Sequence, residues 1–279
     1  MIYDNRPCDL GEGPLWHPLR NQLFWFDILN RRLLSRSSEG PQEWHFSDMV
    51  SAAGWISRDE LLIASERALF RFNVETGARA HVRGLDLETL KTRSNDGRAD
   101  PQGGFWIGTM GKNAEPGAGA IWRFYRGEVR KIYPDITIPN AICFPHAGLA
   151  QFTDTTTGRV MRVGLDAEGW PMGQPEVFLD LSAEGLNPDG AVMDAEGLMW
   201  LAEWGASRVA AYAPDGARVR TVAFDAPHTS CPAFGGDTLY CTSALQGMDA
   251  AARAENLHAG MTFAVAGVAK GLPEHQVIL

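Results

Sequence analysis

Four polar side chains, Glu12, Asn95, Asn140 and Asp189, recur at nearly one distance from the end of a repeated strand-like run. Glu12 lies 15 residues before Asp27, and Asn95, Asn140 and Asp189 lie 14 before Thr109, Asp154 and Glu203. Ser51 and Thr229 stand 14 before Ser65 and Ser243. If the repeats surround an axis, equivalent positions meet at its centre. Two carboxylates and two amide oxygens brought together there are hard donors, suited to calcium, magnesium or manganese and open to zinc or iron. Asn187-Pro188-Asp189-Gly190 and Asn95-Asp96-Gly97 are also common turn sequences. Pro214-Asp215-Gly216 has the same chemistry out of phase and is read as an outer hairpin only. Glu12 and Asn140 decide the matter. Gly11-Glu12-Gly13-Pro14 and Pro139-Asn140-Ala141 share the phase without an Asp-Gly pair.

The elements that must position these residues are short strands. Six runs, among them Leu23-Phe24-Trp25-Phe26-Asp27, Phe105-Trp106-Ile107-Gly108-Thr109 and Met199-Trp200-Leu201-Ala202-Glu203, end 38 to 49 residues apart, the spacing of propeller blades. Turn signals such as Asp100-Pro101-Gln102-Gly103 and Asp194-Ala195-Glu196-Gly197 precede them, and a second strand follows most of them. Regular short strands with turn punctuation mean an all-β chain. Six units of four antiparallel strands predict a six-bladed β-propeller. No linker divides the chain, so residues 1–279 are expected to form a single propeller domain. One or both strand-like ends, Met1-Ile2-Tyr3 and His275-Gln276-Val277-Ile278-Leu279, should pair to close the ring, because an open edge invites aggregation. Helix is confined to two candidate stretches, 86–91 and 249–257. The inner strand of each blade lines a central channel, so the in-phase residues open on one end of it.

A net charge of −9 over 279 residues argues against nucleic acid or an anionic membrane as partner. No run resembles a signal peptide or a membrane span. The four cysteines, Cys8, Cys143, Cys231 and Cys241, are dispersed and read as buried thiols of a cytoplasmic protein, with Cys231 and Cys241 as possible neighbours in blade six. Nothing suggests a large apolar face, so a monomer is expected. A Gly-x-Ser-x-Gly elbow, a His-Glu-x-x-His pair and a strand–loop–helix nucleotide motif are all missing. The seven histidines are scattered. His17 reads as a packed turn residue, while His146 and His228 are the two that could approach the channel mouth.

Taken together, Leu10-Gly11-Glu12-Gly13-Pro14 with Trp16-His17-Pro18, Arg93-Ser94-Asn95-Asp96-Gly97, Phe105-Trp106-Ile107-Gly108-Thr109-Met110, Phe152-Thr153-Asp154-Thr155, Pro188-Asp189-Gly190, and Thr229-Ser230-Cys231 with Phe234-Gly235-Gly236 span the chain. As a set they resemble the family of senescence marker protein (regucalcin), gluconolactonase and luciferin-regenerating enzyme. The resemblance implies one divalent cation at the channel mouth, calcium before zinc, manganese, magnesium or iron, held by Glu12, Asn140 and Asp189. Asn95 maps onto a position near metal and substrate, and Arg93 onto one that contacts substrate oxygens. Some animal members carry a glutamate in the loop after Gly-Thr-Met, where this chain has Gly111-Lys112-Asn113-Ala114. Asn113 falls near that substrate contact, and Lys112 is a second candidate there.

The reaction so implied is hydrolysis of a small-molecule sugar lactone to its aldonic acid, the cation polarising the ester carbonyl and activating water. Asp189 is the expected base, Arg93 the donor to sugar hydroxyls or the developing oxyanion, and Asp154 an orienting residue or a strand-end structural one. Two other readings use the same fold: a non-catalytic calcium-binding regulator or scaffold, and an arylesterase or phosphotriesterase-like hydrolase.

Overall fold

A computed structural model describes residues 1–279. Its strands form six four-stranded antiparallel sheets. The inner strands are Gly11–His17, Val50–Trp55, Thr92–Ala99, Pro139–His146, Asn187–Met193 and Thr229–Gly235, and they define blades one to six. Each touches the inner strand of the blade before and after it, and the sixth touches the first. The chain is therefore a six-bladed β-propeller.

Burial follows from the stacking of blades. A second strand such as Gln22–Asp27 is covered on both faces and is buried throughout. An outer strand such as Gly40–His45 alternates half-buried and exposed residues. The largest core cluster joins Phe24, Phe26 and Leu33 of blade one to Leu61, Ile63 and Phe72 of blade two. The Asp-x-x-Gly turns are side-chain devices. Asp100 accepts the backbone N–H groups of Gln102 (3.0 Å) and Gly104 (2.8 Å), and Asp194 accepts those of Glu196 and Leu198, both at 2.9 Å.

The two ends of the chain do different things. Ile2–Asp4 is the outermost strand of blade six, paired with Thr262–Val265. Residues 275–279, strand-like in sequence, form no strand. They cross the far end of the channel, where the Val277 N–H meets the Trp55 carbonyl (2.9 Å) and the Ile278 N–H that of Gly103 (2.8 Å). Buried Arg98 pairs there with Glu274 and donates to the carbonyls of Ile142 (3.2 Å) and Ala191 (3.0 Å), so tail and inner strands are tied together.

Helix Ala250–Glu255, capped by Asp249 on the Ala252 N–H (2.8 Å), falls in the second expected stretch. The first, 86–91, is irregular: Asp86 has φ +47°, and its buried carboxylate takes the Thr92 hydroxyl (2.7 Å) instead of capping a helix. All four cysteines are free and buried, so Cys231 and Cys241 form no bridge. No helix is long and apolar enough to cross a membrane.

Gly13 carries a steric prediction. Its φ is +52°, and a Cβ there would sit 2.1 Å from the Ser51 carbonyl oxygen of the next blade. Gly13→Ala should cost at least about 2 kcal/mol in a denaturant titration, combining left-handed strain with a backbone collision. Gly77→Ala, at φ +70° with open space around it, should cost about 1 kcal/mol.

Candidate functional site

Strand register explains the phase. The residue that ends each strand-like run pairs with an inner-strand residue: Asp27 with Gly11, Ser65 with Val50, Thr109 with Ser94, Asp154 with Pro139, Glu203 with Pro188, and Ser243 with Thr229. The next inner-strand residue is Glu12, Ser51, Asn95, Asn140, Asp189 or Ser230. Blade six has the shortest hairpin (243 − 229 = 14, against 15 in blades two to five and 16 in blade one), so its equivalent residue is Ser230 and not Thr229. At or straight after each of these positions the register slips, and a β-bulge re-aims side chains next to a site. In blades one and four the bulge places Gly13 and Ala141 at φ +52°.

Four of the six positions, Glu12, Asn95, Asn140 and Asp189, together with Arg93, line a cavity of about 360 Å³ at the channel mouth. The serines turn to their neighbours: Ser51 donates to the Asn95 carbonyl (2.6 Å), and Ser230 to the Gly11 carbonyl.

A polar chain crosses three blades of the floor. Arg93 Nη1 donates to Asn95 Oδ1 (2.8 Å), and Asn95 Nδ2 to Asn140 Oδ1 (2.8 Å) and the Pro139 carbonyl (3.0 Å). Asn140 Nδ2 donates to Thr155 Oγ1 (2.9 Å), which donates to the Pro188 carbonyl (2.7 Å). The arginine at one end fixes every amide orientation, since it can only donate.

The carboxylates are poorly matched. Glu12 accepts the Gly13 N–H (3.1 Å), and Asp189 Oδ1 is buried with no partner. Burial raises both carboxyls well above the ordinary range; the charge of Asp96 raises Glu12 further, and that of Glu12 raises Asp189. Below them Asp96 is pushed up to about 6, mainly by burial. Burial also lowers Arg93 to about 10, against the opposing charges of Glu12, Glu66 and Asp189. Two buried like charges beside an unpartnered oxygen are costly unless a cation satisfies them. No group of three His, Cys, Asp or Glu side chains gathers to hold a metal, so the third donor in such a set is an amide. Asn140 Oδ1 qualifies, having a second lone pair beyond the one used by Asn95. The residues fit a hard divalent ion.

Asn113 lies elsewhere. It is exposed, with its amide bonded to Glu115 (3.1 Å), while Ala114 lines the cavity. Lys112 turns away to pair with Glu66. Asp154 is a strand-end cap, accepting the N–H groups of Thr137 (2.7 Å), Ile138 (3.1 Å) and Thr156 (3.2 Å), and it thereby places Thr155 beneath Asn140. His17 is buried on the Ser57 carbonyl (2.9 Å). His146 is exposed and bonded to the Gly148 N–H (3.2 Å), at the end of its strand away from Asn140. His228 stacks behind Trp204. Sequence reasoning missed Met110, Thr155 and Trp204, which all line the cavity. Each directly follows the residue that ends a strand-like run (Thr109, Asp154 or Glu203), and that position was the signal.

Residues 10–245 match the model of the SMP-30/Gluconolactonase/LRE-like region. The chain belongs to that family. A putative sugar lactone lactonase of Rhizobium meliloti (strain 1021) is 45% identical, with 94% of this chain and 92% of that protein covered. An L-arabinolactonase of Azospirillum brasilense is 32% identical over 94% of this chain and 90% of its own. The crystal structure of a calcium-binding protein, regucalcin, from Agrobacterium tumefaciens str. C58 superposes with a TM-score of 0.96 at 40% identity, covering 100% of this chain and 97% of that one. In this member of the gluconolactonase family, no acidic side chain of the loop after Met110 lines the cavity.

The raised carboxyls set the sign of a pH effect. A carboxyl that holds its proton more tightly folded than unfolded stabilises the fold below the ordinary carboxylate range, and that contribution is lost as pH rises through the folded value. Ion-free protein should therefore lose stability between about pH 4.5 and 8, by up to about 1.4 kcal/mol per pH unit for each proton held. Glu12→Gln should flatten that slope in thermal melts taken across the range.

Proposed function

We propose that the chain is a divalent-cation-dependent sugar lactone lactonase acting on a small-molecule aldono-lactone, with calcium first among the candidate ions. One observation carries this reading. Two buried like-charged carboxylates, one with an unpartnered oxygen, lie at the floor of a cavity large enough for a monosaccharide ring and flanked by a buried arginine. An ion site alone needs no such cavity, which favours an enzyme over a calcium regulator. The relatives named as lactonases and the calcium-binding neighbour support the substrate class and the order of ions.

Glu12, Asn140 and Asp189 would hold the cation. When bound, it supplies Lewis acidity toward the ester carbonyl and toward water. Asp189 takes the proton of the attacking water. As the ring C–O bond breaks, the same carboxyl returns a proton to the leaving ring oxygen, giving the hydroxy acid. Arg93 and Asn95 approach from blade three. Arg93 spends its Nη1 donors on Asn95 and the Ser94 carbonyl and offers those of Nε and Nη2 to hydroxyls or to the oxyanion. Asn95 fixes Asn140 and holds Arg93 in place.

Acid release from a panel of aldono-lactones tests this. Chelator-stripped protein should match the spontaneous rate, and restored cation should raise it. Asp189→Asn should lower kcat/KM about 10³-fold or more and Arg93→Met about 10²-fold, with the fold intact by circular dichroism. Parental turnover in Asp189→Asn would remove the base assignment, and cation-independent turnover would remove the metal.

A further inference from the structure

The blade-five wall of the cavity has a feature that the chemistry of ion and base leaves unused. Trp204 lines the cavity, is only partly buried, and stacks on His228 with ring centroids 4.3 Å apart and planes 10° from parallel. His228 does not line the cavity, so it lies behind the indole and covers one face. The indole surface that lines the cavity is thus away from His228. The ring also packs against the blade-one cluster that contains Leu10 and Ala244. The indole N–H has no partner within the chain, and Gln246 stands on the same rim.

His228 is suited to be a backing and little else. Burial lowers its pKa, so it is uncharged at neutral pH. Its Nδ1 is buried without a hydrogen-bond partner, an arrangement kept at some cost. The stack gives a return for that cost by fixing the indole, since a parallel aromatic pair restricts both rings.

We propose that Trp204 is the platform on which the lactone ring lies, and that His228 is a positioning residue holding the platform flat. This rests on the lactonase reading above. A sugar ring has one face of C–H bonds and an edge of hydroxyls. An aromatic face receives the former, while Arg93, Asn95 and Gln246 are placed for the latter. The platform thus selects cyclic, ring-shaped substrates over open-chain esters of the same acid, which have no flat face to offer.

Two readouts test it on the full-length, calcium-loaded protein. The first is calorimetric binding of glucono-δ-lactam, a ring of lactone shape that resists hydrolysis. Trp204→Ala should weaken it about tenfold, Trp204→Phe should restore it to within about threefold of the parent, and His228→Ala should fall between while His228→Phe stays near the parent. The second is hydrolysis. In Trp204→Ala, KM for glucono-δ-lactone should rise about tenfold while kcat falls less than about twofold, and KM for methyl gluconate should rise several-fold less than that for the lactone. Calcium affinity should be the same in all variants, which excludes a collapsed site. Unchanged lactam affinity and KM in Trp204→Ala would overturn the platform, whereas equal losses on ring and open-chain substrates would make Trp204 a structural residue. A parent that binds the lactam in a Trp204-dependent way but hydrolyses no lactone would overturn the lactonase reading and leave the platform standing. A parent that fails to bind the lactam would overturn the platform outright.

Discussion

Everything at the channel mouth depends on holding two carboxylates, Glu12 and Asp189, side by side out of water. Burial makes both hard to ionise, and the charge of Glu12 makes Asp189 harder still. A loose scaffold would let them separate or turn to solvent. Six stacked blades prevent this, because every inner strand is packed between two others and each donor sits at a bulge whose neighbours cannot shift. Gly190 has Cys231 of the next blade against its Cα, and Ser230 of that blade grips the Gly11 carbonyl beside Glu12. The sixth blade supplies no donor, yet it clamps the two blades that supply the carboxylates.

Charge is layered along the axis. The carboxylate pair lies uppermost with Arg93 at its flank, Asp96 lies beneath, and Arg98 lies below that, closed by Glu274 of the C-terminal segment. The far end is sealed by side chains and backbone bonds from the tail, so reagents enter and leave by the mouth. The mouth itself is divided: donors and acceptors gather on the floor and on the blade-three side, and Leu10, Met110, Ile138 and Trp204 supply apolar wall. A polyhydroxylated ring with an ester at one edge matches that division.

The propeller and the gathering of Glu12, Asn95, Asn140 and Asp189 at one cavity were legible in the sequence because both are periodic. Repeats at 38 to 49 residues fix the number of blades, and a constant offset from a strand end survives folding because antiparallel pairing preserves it. The offset failed by one residue in blade six, where the hairpin is shorter, and selected Thr229 in place of Ser230. The loops were not legible. Asn113 was placed in the site by its distance from Met110, but the turn at 111–118 folds onto its own Glu115 carboxylate. Such a local hydrogen bond leaves no periodic trace. The C-terminal segment read as a strand because its residues alternate, yet Ile2–Asp4 already takes the outer place of blade six, and Val277 instead fills the gap against Gly54. Asp154 was read as an orienting residue or a structural one, and the geometry joins the two: it caps a turn, and the turn carries the threonine under Asn140.

The central claim is that a divalent ion takes the place of protons between Glu12 and Asp189. Calorimetric titration of calcium into stripped protein at neutral pH, repeated in two buffers of different ionisation enthalpy, measures this directly. If the pair holds a proton before the ion arrives, the apparent enthalpy will differ between buffers by an amount corresponding to release of roughly one proton per ion. That difference will vanish in Glu12→Gln. Calcium binding with the same enthalpy in both buffers, or proton release that persists in Glu12→Gln, would place the ion elsewhere and contradict the account.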